Sequence, residues 1–97
     1  MAFIVSEKNT ENGLLLVITD SELVGKIFEE GKKQLDLSKG FYQGEEKHVE
    51  EIKELVKKAY ILHLTGKNSV ELGKSLGLVE RVIVIDNIPH AEVLAEG

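Results

Sequence analysis

Apolar residues fall along this chain in short runs, and their spacing changes from run to run. Ala2-Phe3-Ile4-Val5 and Leu14-Leu15-Leu16-Val17-Ile18-Thr19 flank the polar segment Asn9-Thr10-Glu11-Asn12-Gly13. A turn composition ending in Asn-Gly between two apolar runs predicts an N-terminal β-hairpin. Asp20 or Ser21 then offers a side-chain oxygen to cap a short helix with Leu23, Val24, Ile27 and Phe28 on one face. Gly25 weakens such a helix; the alternative is a chain extended from Lys26 to Glu29. Glu30-Gly31-Lys32 reads as a turn. Gln34-Leu35-Asp36-Leu37 alternates and reads as a strand with one wet face. The stretch Lys26 to Leu37 is thus either a hairpin or a helix followed by a strand.

The clearest helical period runs from Glu45 to Ala59 or Tyr60, with Val49, Ile52, Leu55, Val56 and Ala59 on one stripe. Ile61-Leu62-His63-Leu64 reads as a strand and Thr65-Gly66-Lys67 as a loop. Asn68 is placed to cap a second helix, with Glu71 completing a capping-box-like pair. Val70, Leu72 and Leu76 form the apolar face of that helix, and Gly77 ends it as a left-handed cap. Val82-Ile83-Val84-Ile85 is an unbroken β-branched run, which predicts a central strand covered on both faces. Asp86-Asn87 followed by Ile88-Pro89-His90 predicts a tight turn at its end, and a short final strand follows near Glu92 to Leu94. The expected architecture is one α+β domain over residues 1–97. It is a two-layer sandwich, a mixed sheet with helices packed on one face and an N-terminal hairpin. No internal repeat or linker interrupts the sequence.

Composition narrows the function. With 97 residues and no cysteine, the chain can form neither disulfides nor thiolates. The longest apolar run, Leu14 to Ile18, is far shorter than the roughly 20 residues of a membrane helix. No basic segment followed by a long apolar one marks a signal peptide, so a soluble cytoplasmic protein is expected. The net charge of −5 and a single arginine, Arg81, disfavour binding to free nucleic acid, which draws on many basic side chains. The charge is uneven. Glu45 to Glu54 is mainly acidic, while Lys57, Lys58, Lys67 and Lys74 face only Glu71 over the next stretch.

Four groups of residues could carry chemistry. Gly66-Lys67-Asn68-Ser69 lacks the second glycine of a phosphate loop and the Ser or Thr directly after its lysine. It retains free N–H groups at a helix start beside Lys67, which could hold an anion; the plainer reading is an ordinary capped helix. Asp86 could orient His90 as a general base, or Asp86 and Asn87 could simply satisfy a turn. His48, His63 and His90 have no metal-ligand spacing, so no metal site and no cofactor is expected. His63 alternates with Leu62 and Leu64 and should face solvent or a helix. Phe41 and Tyr42, bracketed by Gly40 and Gly44 and preceded by Lys39, could stack on a base or anchor a partner. They could equally staple the loop to the following helix.

The chain resembles an archaeal family, domain of unknown function 424. The likeness rests on Glu22-Leu23-Val24-Gly25-Lys26 with Phe28 and Gly31, on Phe41-Tyr42 with Gly44, and on Gly66 followed by Ser69-Val70-Glu71-Leu72. It rests also on Gly77-Leu78-Val79 and on Ile88-Pro89-His90-Ala91. Gln43 stands where the family pattern has a second glycine. The resemblance implies an archaeal cytoplasmic protein with a two-layer α+β fold, associated with translation or the ribosome; it brings no catalytic residue. The leading expectation is a non-catalytic binding module with a protein or ribonucleoprotein partner. The alternative is a small anion- or nucleotide-binding enzyme using His90, Asp86 and Lys67. A third is a homo-oligomer assembled through an exposed strand edge.

Overall fold

The computed structural model describes residues 2–95. In chain order the elements are β1 (Phe3–Thr10), β2 (Gly13–Asp20), a 3-10 turn (Ser21–Leu23), β3 (Ile27–Glu30) and β4 (Lys33–Asp36). A second 3-10 turn (Gly40–Tyr42), β5 (Glu45–Lys47), α1 (Val49–Val56), β6 (Ala59–Thr65), α2 (Lys67–Ser75), β7 (Ile83–Ile85) and β8 (Ile88–Leu94) follow. Six strands form one sheet in the order β5-β1-β2-β6-β8-β7, and β3 and β4 form a separate hairpin. β2 and β6 run parallel while their neighbours pair antiparallel, so the large sheet is mixed. The expected α+β class, mixed sheet and N-terminal hairpin are all present.

The centre of the sheet is the seam between β2 and β6. Leu16, Val17 and Ile18 of β2 are 0–1% exposed, as a continuous apolar run flanked by strands and covered on both faces should be. One face carries both helices. Phe3, Val5, Leu16, Ile18, Leu62, Leu64, Ala91 and Val93 meet Ile52 of α1 and Val70 of α2 there. A smaller cluster on the opposite face gathers Leu23, Leu35 and Leu37 with Phe28, Tyr42, Ile85 and Ile88. It seats the β3–β4 hairpin.

Several expectations are corrected. The run Val82–Ile85 is not central: β7 is the last strand of its sheet, with Ile83 50% and Val84 48% exposed. β8 takes the place beside β6 because its alternate residues Ala91 and Val93 complete the main core. Pro89 and His90 belong to β8, and the turn is Asp86-Asn87 alone. Both turn residues adopt positive φ, 49° and 64°, as a two-residue hairpin with the right-handed strand twist requires.

The long helix begins only at Val49, where the apolar stripe begins. Glu45–Lys47 offers the core no apolar side chain and instead pairs with the open edge of β1. The helix also stops at Val56, and Ala59 and Tyr60 open β6. Between Lys26 and Leu37 the hairpin alternative is the one that forms. The Gly25 N–H donates to the Leu37 carbonyl and the Leu37 N–H to the Lys26 carbonyl, extending the β3–β4 ladder. Gly77 ends α2 with φ +73°, the left-handed cap expected of it.

Candidate functional site

The start of α2 is closed from within. Asp20, at the end of β2, lies 2% exposed directly beneath it. Its carboxylate accepts from the Asn68 N–H at 3.0 Å, the Ser69 N–H at 2.8 Å and the Ser69 hydroxyl at 2.7 Å. Gly66, not Asn68, precedes the helix, and Asn68 caps nothing. Gly66 adopts φ +106°, and a Cβ there would run into the Asp20 carboxylate, so glycine is what lets the two segments meet. The N–H groups that could have held an external anion already hold this internal one. Lys67 and Asn68 border a hollow of about 280 Å³ with Asp20, Glu22, Leu23 and Ile88.

Asp86 and His90 do not form an acid-base pair. Asp86 sits at the hairpin tip, where its N–H donates to a Glu30 carboxylate oxygen at 2.8 Å. His90 points from β8 onto the sheet face opposite the helices, and its Nδ1 lies 2.8 Å from the Thr65 hydroxyl. Neither His90 nor Asp86 lines the hollow beside Lys67. The structure therefore does not bring His90, Asp86 and Lys67 to one place.

What it does bring together is a lattice of polar side chains on that helix-free face. Directly paired residues in a sheet point the same way. One cross-strand row runs Ile4, Thr19, Thr65 and His90, and the next runs Ser6, Val17, His63 and Glu92. His63 Nε2 lies 3.3 Å from Glu92 Oε2, and the two imidazole centroids are 5.9 Å apart. Phe41, from the second 3-10 turn, sets its ring edge-on to His63 at 5.2 Å. The Lys8 ammonium lies 5.1 Å from the Phe41 ring centroid, within cation–π reach. The Thr19 hydroxyl is fully buried in the same face with no hydrogen-bond partner among the described residues.

Burial lowers the pKa of His63 below its ordinary value, against the opposing pull of Glu92. His90 is lowered by burial and by the neighbouring His63. Both rings are therefore neutral at physiological pH, and each presents one donor and one acceptor nitrogen. The arrangement can hydrogen-bond a polar, planar group while Phe41 packs against it. Among the described residues no three potential metal ligands converge.

Phe41 and Tyr42 pack edge-on to each other at 5.1 Å, yet they belong to different surroundings. Tyr42 joins the small cluster around Leu37 and is structural, while Phe41 joins the polar face. They staple their loop onto the sheet rather than onto α1. Lys39 is exposed just before the turn. Glu92, Thr65 and Lys8 were not singled out by sequence reasoning. The available signal was alternation: His63 between Leu62 and Leu64, and His90 and Glu92 around Ala91, mark one common face once β6 and β8 are known to pair.

Comparison with known proteins agrees with the fold and names no activity. No curated protein matches the sequence. A crystal structure described as an uncharacterized conserved protein from Methanopyrus kandleri is similar, with a TM-score of 0.78. It is 17% identical, and the match covers 95% of this chain and 90% of that one. At that identity the likeness concerns the fold. Residues 7–95 match the family described as "Protein of unknown function (DUF424)". Spanning nearly the whole chain, that match shows that the protein belongs to the DUF424 family.

Proposed function

We propose that the protein is a non-catalytic binding module of archaeal information processing, and that its partner, a protein or ribonucleoprotein, docks on the helix-free sheet face. The observation that supports this reading is the His63–Glu92 pair beside His90 and Phe41. Polar groups in the middle of a sheet face are usually solvated or covered. Here two half-buried neutral imidazoles, a carboxylate and an aromatic edge lie side by side, with Lys8 at the rim. Peptide groups and exposed bases both suit such a surface, because each has a planar face and hydrogen-bonding edges.

The test is affinity capture with the full chain from native-cell extract at physiological salt, with and without ribonuclease. Phe41→Ala and the double variant His63→Ala/Glu92→Ala serve as comparisons, each checked for folding by thermal melting. The expected result is a defined partner retained by the parent chain and lost from both variants, with ribonuclease deciding whether RNA mediates the contact. Recovery of no protein or RNA partner, or equal recovery by the folded variants, would refute the proposal.

A further inference from the structure

The two edges of the six-stranded sheet differ in chemistry. The β5 edge carries Glu45, Glu46 and Lys47, charges of the kind that discourage strand-to-strand pairing. The β7 edge carries Ile83 and Val84, half exposed. No lysine or proline lies within β7 itself.

The hydrogen-bond pattern of the β7–β8 hairpin leaves a specific opening at Val84. Ile85 pairs with Ile88 and Ile83 with His90 around the two-residue turn, so these pairs exchange ladder bonds. Val84 faces Pro89, which has no N–H, and the Pro89 carbonyl accepts from the Gly66 N–H on the far side at 2.9 Å. Val84 therefore aims its own N–H and C=O outward, where neither meets a partner among the described residues. On one side of this apolar centre stands exposed Arg81, which forms no ion pair among the described residues. On the other side stand Asp86 and Glu30, joined by the Asp86 N–H bond.

An apolar strand with a cation at one end and carboxylates at the other is complementary to itself when reversed. We propose that a second copy of this chain pairs antiparallel with β7 about a two-fold axis at Val84, forming a dimer with one continuous sheet. The two Val84 residues exchange a pair of N–H···O=C bonds, and Ile83 of each copy lies opposite Ile85 of the other. Arg81 reaches the second copy's Asp86-Asn87 turn and Glu30, and the symmetry makes that contact twice. These contacts offset the repulsion between two chains that each carry a net charge of −5.

The test is sedimentation equilibrium of the full chain up to millimolar concentration, alongside Val84→Pro, Val84→Lys and Arg81→Glu. Val84→Pro removes an N–H that no internal bond uses, so it spares the hairpin ladder. Circular dichroism and thermal melting report whether each variant folds. The parent chain is expected to dimerise, and each folded variant to raise the dissociation constant about tenfold or more. Slowed exchange of the Val84 amide in the dimer relative to a folded monomeric variant would place the contact there. A parent chain that stays monomeric at millimolar concentration overturns the proposal. So does a dimer that the folded Val84 and Arg81 variants leave unchanged. If Val84→Pro does not fold, Val84→Lys and Arg81→Glu carry the test, since both positions are exposed.

Discussion

Asp20, 2% exposed, accepts three hydrogen bonds from Asn68 and Ser69. Asp20→Ala would leave two N–H groups and a hydroxyl without their acceptor, at a cost of about 3 kcal/mol. Gly66→Ala should cost a similar amount by forcing the same groups apart, since a Cβ at Gly66 meets the carboxylate. Denaturant unfolding would measure both. If Asp20→Ala loses less than about 1 kcal/mol, the carboxylate is not the cap described here. The residues that resemble an anion site in the sequence, Gly66 to Ser69, thus act as the seam between a strand and a helix. Their partner lies 48 and 49 positions away, beyond the reach of any local motif.

Among the elements, the β7–β8 hairpin shows how composition and position come apart. Asp86 and Asn87 both hold positive φ, a conformation that costs most residues other than glycine. Asn87→Gly should stabilise the protein by about 0.5–1 kcal/mol, read as a raised denaturation midpoint; a lowered midpoint would show that the Asn87 side chain contributes to the turn. The Asp86-Asn87 pair as a turn was legible in the sequence, as were the first hairpin, the strand after α1, the end of α2 at Gly77 and the helical stripe from Val49; the Asn68 cap was not, because the acceptor for the first N–H groups of α2 is the distant Asp20. The role of Val82–Ile85 was not, because a β-branched run is compatible with an edge as well as a centre. Which it becomes depends on Ala91 and Val93 reaching the main core first. Glu45–Lys47 was misread as helix because acidic residues before an apolar stripe suit a helix start, whereas the open edge of β1 is invisible in a linear sequence. For the site, Phe41 and His90 were read from the sequence, but Glu92, Thr65 and Lys8 needed the β6–β8 and β2–β6 registers.

On the scale of the whole molecule, the helix-free face ties stability to pH. His63 and His90 are both held below the ordinary value of 6.5 by burial. As pH falls through about 6.5 the unfolded chain takes up protons on these rings while the fold resists them. The unfolded state then binds more protons, so stability is full above that pH, declines below it, and levels off under the folded values. Urea midpoints should drop between pH about 7.5 and about 5.5, a window in which most carboxylates stay ionised. A His63→Gln/His90→Gln variant should lose most of that slope. An unchanged slope in the folded variant would assign the pH dependence to other groups.

The parallel register of β2 with β6 has a consequence for how the chain assembles. Two of the other strand pairs of the large sheet are local hairpins, whereas this one brings Leu14–Thr19 to Ala59–Thr65 across the β3–β4 hairpin, β5 and α1. Closing so long a loop costs entropy before any contact compensates for it. The two terminal hairpins can fold locally, each around its own tight turn. The most deeply buried seam of the molecule is thus also the one whose formation depends on the whole intervening chain, which makes the middle of the sheet the step that commits the protein to its fold.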